Sequence, residues 1–242
     1  MREITAADIT RLCEWGANKH DLDRAIALLR LSSPGEDVDG LAQLSVGQRD
    51  ARLMKLRSAQ FGDRFEMRVY CPKCDAALEF GMDLAQLLQD QGVEYQGPIE
   101  FEGGTIKYRL PNSRDMAAIS AINDPLRAKE ALFGRCVAAR DSNGEPLHPS
   151  KIPQDALAEV LQCWSVEDPQ ADVTFKLKCA DCRHSWRTVF DILSFFWTEL
   201  EVFNRRLQDD IHLIASRYGW SETHILSMTS ERRKRYIELI GS

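Results

Sequence analysis

Apolar residues recur along this chain at two different periods, and the changes between them mark out its segments. Leu22, Ala25, Ile26, Leu28 and Leu29 fall at helical spacing, and Ser32-Ser33-Pro34-Gly35 stops the run. A second helix is expected from Ser45, where Gln48 completes a capping box and Leu44 supplies a hydrophobic staple. It carries Val46, Leu53, Met54, Leu56 and Ala59 and closes at Phe61-Gly62. Residues 1–62 thus read as an N-terminal helical region. At Phe65 the period drops to two. Phe65, Met67 and Val69 alternate with polar residues up to Cys71, and Leu78, Phe80 and Met82 alternate after Cys74. That pattern predicts strand, tight knuckle, strand. It returns once, with Val173, Phe175 and Leu177 before Cys179, and Trp186, Thr188 and Phe190 after Cys182. The two stretches, RVYCPKCDAALEF and KLKCADCRHSWRTVF, form an internal repeat.

Between the repeats the pattern is mainly helical. Asp83–Gln91 reads as a short helix, and Ile99–Phe101 with Ile106–Leu110 as a hairpin turning through Gly103-Gly104. Ser113 is the expected cap of a helix through Met116, Ile119 and Ile122. Asn123-Asp124-Pro125 breaks that run, a helix is expected over Leu126–Ala139, and Asp141–Gly144 is a loop before a helix over Pro153–Trp164. After the second repeat, Leu193, Phe196, Trp197, Leu200, Phe203, Leu207, Ile211 and Ile214 lie on one face of a helix. At 1.5 Å per residue, roughly 25 residues span about 37 Å. Ser221 caps a short helix through Ile225-Leu226, and Thr229 or Ser230 caps a last one carrying Tyr236, Ile237, Leu239 and Ile240.

The expected fold is therefore α+β: a small antiparallel zinc ribbon split by a mainly helical insertion, with helical N- and C-terminal regions. In residue terms, 63–82 and 173–190 are the two halves of the ribbon, 83–172 is the insertion and 191–242 the C-terminal region. The 242 residues, 44% apolar and 28% charged, suit a globular protein with a real core. A net charge of −6 argues against broad, charge-driven binding of nucleic acid. No apolar run reaches the roughly 18–20 residues a membrane span needs. The N-terminus MREITAADITRLCEWG lacks a signal-peptide core, so a reducing, cytoplasmic setting is the expectation.

Seven cysteines in such a chain do not suggest a disulfide framework. Cys13, Cys136 and Cys163 lie in helical patterns and read as small buried hydrophobes. Cys71, Cys74, Cys179 and Cys182 form two C-x-x-C pairs, each at the knuckle of a repeat. Two such knuckles complete an all-thiolate shell for one Zn2+, which leaves no open position for water or substrate. The 104 intervening residues exceed the usual spacing, but they contain enough structure to fold as an insertion. His184 is an alternative ligand that more naturally sits on the returning strand. A redox reading of Cys71-Pro72-Lys73-Cys74 would want a following helix, and an alternating stretch follows instead.

No phosphate-binding glycine loop, nucleophile elbow or metalloprotease motif is present, so no catalytic residue and no small-molecule substrate are assigned. The one concentrated basic run is Arg232-Arg233-Lys234-Arg235. It reads either as a solvated helix face or, with Gly219–Tyr236, as the contact edge of a nucleic-acid-binding helix pair. Trp220 beside Tyr218 is a candidate partner-facing aromatic pair.

Several stretches together resemble one family. They are Leu44-Ser45-Val46-Gly47-Gln48-Arg49-Asp50 with Phe61-Gly62, Cys71-Pro72-Lys73-Cys74, and Arg109-Leu110-Pro111-Asn112-Ser113-Arg114-Asp115. Tyr218-Gly219-Trp220-Ser221-Glu222 through Ile225-Leu226, and Arg232-Arg233 with Tyr236, complete the set. The combination resembles the baseplate proteins related to the hub-assembly chaperones of T-even phages, found also in phage-tail-like injection systems. The resemblance implies a non-enzymatic role in building or forming part of a contractile-tail baseplate, within the cytoplasm or an assembled particle. Its partners would be other baseplate or tail proteins, met through Tyr218, Trp220, Arg232, Arg233 and Tyr236. The cysteine pairs depart from the small phage proteins. The alternative is a zinc-ribbon protein associated with nucleic acid or transcription.

Overall fold

A computed structural model describes residues 2–90 and 97–241. Among them the helices are α1 (Ala6–Gly16), α2 (Asp21–Ser32), α3 (Val38–Gln43), α4 (Val46–Phe61), α5 (Ser113–Ile119), α6 (Pro125–Cys136) and α7 (Gln154–Glu167). They continue with α8 (Ile192–Tyr218), α9 (Glu222–Leu226) and α10 (Ser230–Gly241). The strands are β1 (Arg64–Tyr70), β2 (Ala77–Asp83), β3 (Ile99–Phe101), β4 (Gly104–Tyr108), β5 (Val137–Asp141), β6 (Pro146–Leu147), β7 (Thr174–Lys178) and β8 (Ser185–Val189). All pairings are antiparallel, and the class is α+β. The chain divides into two compact units, Met1–Pro34 with Ile192–Ser242, and Gly35–Asp191.

The first unit is helical. Its axis is the 27-residue α8, whose Leu193, Phe196, Trp197, Leu200, Leu207 and Ile214 are buried, as the apolar stripe requires. Gly16 ends α1 where the Trp197 indole lies so close that a Cβ would come within 2.3 Å of it. The Arg24 guanidinium covers the same ring at 4.7 Å, and Trp197 Nε1 donates to Glu201 at 2.6 Å. Ser221 caps α9, and of the two candidates before α10 it is Thr229 whose hydroxyl accepts from Arg232 N.

The second unit contains both hairpins of the repeat. In β1–β2 the apolar positions oppose one another directly, Phe65 with Met82, Met67 with Phe80 and Val69 with Leu78, and in β7–β8 Leu177 opposes Trp186. A two-stranded hairpin is marginal alone and must cover its apolar face. Here the hairpins cover each other: Phe65 stacks on Phe190 at 5.5 Å and Phe80 meets Phe175 edge-on at 6.1 Å.

Between them, β3-β4-β5-β6 form one sheet backed by α6 and α7, with Ile99, Ile106, Phe133, Val160 and Trp164 at its core. This corrects the expected helix over Leu126–Ala139, which ends at Cys136; Val137–Asp141 pairs with β4 from Tyr108↔Val137 to Gly104↔Asp141. The run Cys136-Val137-Ala138-Ala139 is apolar at every position and fits either period, so the unpaired edge of β4 decides it. The helix expected over Asp83–Gln91 is reduced to a 3-10 turn at Leu84–Gln86, with Gln91 itself outside the described residues.

A polar junction ties three remote segments of this unit together. Ser45 and Asn112 form an isolated antiparallel bridge, and Val46 N donates to Pro111 O at 3.1 Å. Each begins a helix with a complete capping box: Ser45 with Gln48, and Asn112 with Asp115. Asn112, not Ser113, is therefore the cap of α5. From beyond α7, Asp168 accepts from Ser45 Oγ and Gly47 N, both at 2.9 Å. Its carboxylate sits where the α4 N-terminus favours negative charge. A Cβ on Gly47 would lie 2.2 Å from Asp168 Oδ1 and 2.8 Å from Ala171 N, so only glycine lets the two segments approach.

The Asp115 side chain, wholly buried, takes Arg109 Nη1 at 2.5 Å and Arg135 Nε at 2.9 Å. Burial would raise its pKa, but Arg109, the Asn112 N–H and Arg135 together hold it below the usual carboxylate range.

Two outcomes are expected. Gly47→Ala should destabilise the fold by about 2 kcal/mol through overpacking against Asp168, read as a lower urea midpoint at unchanged slope. Because the folded state lowers the Asp115 pKa, the junction contributes its full stability above the unfolded carboxylate value of about 4 and loses it as pH falls further. Wild type should thus lose stability below that pH, whereas Asp115→Asn should be weaker at neutral pH with a shallower acid dependence.

Candidate metal centre

The two knuckles share one backbone plan. Cys71 N donates to Ala76 O at 3.0 Å and Asp75 N returns a bond to Cys71 O at 2.9 Å. At the second knuckle Cys179 N donates to His184 O at 2.8 Å and Arg183 N to Cys179 O at 3.1 Å. In both, the residue after the second cysteine is left-handed, Asp75 at φ 59° and Arg183 at φ 60°. Neither is glycine, so each conformation is held by its surroundings against an intrinsic penalty. The result aims both thiols of each pair to one side.

The four sulfurs of Cys71, Cys74, Cys179 and Cys182 lie within 4.8 Å of one another. Two contacts cross between knuckles, Cys71 Sγ to Cys182 Sγ and Cys74 Sγ to Cys179 Sγ, each 3.6 Å. These lengths exclude a disulfide, which needs about 2.05 Å. They suit a tetrahedron of sulfurs around one ion, whose edges are about 3.8 Å when each metal–sulfur bond is about 2.3 Å. Cys71 and Cys179 are 1% exposed, Cys182 is half-buried and Cys74 is open to solvent.

The thiols are electrostatically unequal. Burial opposes ionisation of Cys71, yet the Lys73 and Cys74 N–H groups pull its pKa down to about 7. At Cys74 the Ala76 N–H lowers the pKa, but the neighbouring cysteines and desolvation prevail and push it up to about 12. A proton shared among crowded sulfurs is what a cation would displace. His184 takes no part in the thiol cluster; its ring stacks on Trp186 at 6.0 Å. Cys13 and Cys136 are buried, with thiols pushed up to about 11 and about 12 by desolvation, as inert core residues are. Cys163 is half-buried beside Tyr108, whose hydroxyl also meets Glu167.

The remaining candidates lie in the other unit. Tyr218 stacks on Trp220 at 4.8 Å, and Tyr236 meets Trp220 edge-on at 4.9 Å. The Arg232 guanidinium lies over Tyr236 at 5.8 Å. Arg233, expected on the same surface, is only 4% exposed: it faces inward and donates to Met228 O at 2.6 Å and to Ser230 Oγ at 3.3 Å. Its place in the basic run is a matter of helical phase, one position away from Arg232 and about 100° around α10.

Sequence reasoning missed the polar junction. The Ser45 box was visible as a local pattern, but Asp168, 123 positions away, carries no signal that it completes that cap.

An α+β protein whose remote segments converge on a four-thiol, metal-competent centre is the class these features define. The chain belongs to the T4 bacteriophage base plate protein family, whose profile matches residues 30–197. The matched span takes in all four clustered cysteines and the polar junction, and it stops before the Tyr218–Trp220–Tyr236 cluster. No curated protein and no solved structure matches the chain. No helix among the described residues is long and apolar enough to cross a membrane.

Because metal must replace protons on the sulfurs, affinity should rise with pH. Protein loaded at pH 8 and titrated downward should release its ion as the thiols reprotonate, followed by a chromogenic chelator; Cys74→Ser should release it at higher pH than wild type.

Proposed function

We propose that this chain is a non-enzymatic protein of a contractile-tail baseplate, in a phage or a phage-like injection system, built around a structural Zn2+. Family membership supports the baseplate role, and the convergence of four sulfurs from segments 105 positions apart supports the metal. Cys71, Cys74, Cys179 and Cys182 would hold the ion. Four thiolates close a tetrahedral shell, so the chemistry supplied is cross-linking, and no ligand position remains for water or substrate. The arrangement is then a zinc ribbon whose halves are separated by residues 83–172. For structural sites of this kind binding energy is folding energy, on the order of 10 kcal/mol in small zinc peptides.

Within the baseplate role, we place the chain with the hub-assembly chaperones, acting on other tail proteins through its helical unit. Tyr218, Trp220, Arg232 and Tyr236 form the contact surface in this reading, since rigid aromatics with a flanking arginine are the usual anchors of protein interfaces.

Elemental analysis of the purified chain should find one zinc per molecule, and Cys179→Ser should abolish it and lower the melting temperature steeply. A variant that keeps both zinc and wild-type melting behaviour would overturn the ribbon. For the assembly role, disruption of the gene should leave particles without complete baseplates by electron microscopy. Mass spectrometry of finished wild-type particles then separates the two modes: absence marks a chaperone, retention a structural component.

A further inference from the structure

The two halves of the repeat differ at one equivalent pair of positions. In β1–β2, Arg68 stands directly opposite Glu79 and forms an ion pair with it. The matching positions of β7–β8 are Lys176 and Arg187, also directly opposite each other. Like charges facing across a strand pair destabilise it, so the second hairpin carries a local penalty that the first does not.

The penalty is not relieved nearby. The outward positions of this hairpin are Thr174, Lys176, Lys178, Ser185, Arg187 and Val189, all exposed, with three cations and no acid among them. Neither Lys176 nor Arg187 has an ion-pair partner among the described residues, whereas Arg24, Arg52, Arg68, Arg109 and Arg135 each do. Lys178 and Arg183 flank the knuckle, where a tetrathiolate around a divalent ion would be doubly negative and account for them. Lys176 and Arg187 lie two residues along the strands from the facing pair Lys178 and Ser185, about 7 Å away from that end of the hairpin. The centre does not account for them as directly.

We infer that the outer face of β7–β8, centred on Lys176 and Arg187, docks a carboxylate-rich surface of a partner protein. A partner's carboxylates between the two cations would turn the repulsion into a bridged pair. Protein rather than nucleic acid is favoured by two observations: this face offers no aromatic ring on which a base could stack, and the chain as a whole is acidic. The choice of a protein partner also rests on the baseplate reading. The surface itself does not.

The test uses the full, metal-loaded chain and two fluorescent probes of matched charge, a polyglutamate peptide and a DNA duplex, measured by anisotropy at low salt. Lys176→Glu places an acid opposite Arg187, as in the sister hairpin. It is expected to weaken polyglutamate binding at least about tenfold while melting at or above the wild-type temperature, with metal content unchanged. Lys107→Glu, the same charge change on the four-stranded sheet, should leave binding within about twofold of wild type. Equal losses in both variants, or no polyglutamate binding by wild type, would overturn the docking face. Tighter binding of the duplex, lost on Lys176→Glu, would overturn the protein partner and with it weaken the baseplate role. Failure of the zinc assignment would show separately, as absent metal in the wild-type chain before any probe is added.

Discussion

Crowding of four sulfurs into a space less than 5 Å across is the constraint around which the Gly35–Asp191 unit is organised. Neutral thiols gain little from such proximity, and thiolates repel, so the cluster is one that a cation could neutralise. The backbone shares the burden. Two non-glycine residues, Asp75 and Arg183, hold left-handed conformations so that each knuckle can turn both of its sulfurs inward. A duplicated device with the same strain at the same position is difficult to explain as packing alone, because packing alone does not require the turn to be identical.

The same unit closes a second time, through segments at Ser45, Asn112 and Asp168 that lie well away from the knuckles in sequence. There the means are neutral and anionic hydrogen-bond groups: the Ser45 and Asn112 caps, the Asp168 carboxylate and the buried Asp115 between two arginines. Closing a long insertion is entropically unfavourable, but the cost grows only slowly with length. One closure suffices to bring the ends together; the second restricts how the insertion leans on them. The junction also explains why the family-like motifs around Ser45 and Asn112 are rich in small and polar residues. They are helix starts that meet face to face, and Gly47 leaves the room for the Asp168–Ala171 segment to close on the first of them.

An internal repeat whose halves have diverged in charge but not in backbone separates what folding needs from what it tolerates. The apolar cross-strand pairs and the knuckle bonds are common to both hairpins. The ion pair of the first and the opposed cations of the second are not. Since the second arrangement is the less stable one, its presence is better attributed to an external contact than to the fold.

Local periodicity was enough to read both hairpins, the long helix with its Phe196–Trp197 stripe, and the pairing of cysteines at equivalent knuckles, because each of these is determined by residues within a few positions of one another. It was also enough for the Ser45 cap. It was not enough for β5, where an all-apolar run suits helix and strand alike and a free strand edge made the choice, nor for Arg233, whose neighbours in the run are exposed while it is buried. Asp168 on the Ser45 cap joins positions 123 residues apart, and the meeting of Cys74 with Cys179, 105 apart, was legible only from the chemistry of the repeated C-x-x-C pairs. Hydrogen bonds and thiol contacts of that kind leave no periodic trace in a chain, since they depend on where whole elements are carried, and packing alone sets that.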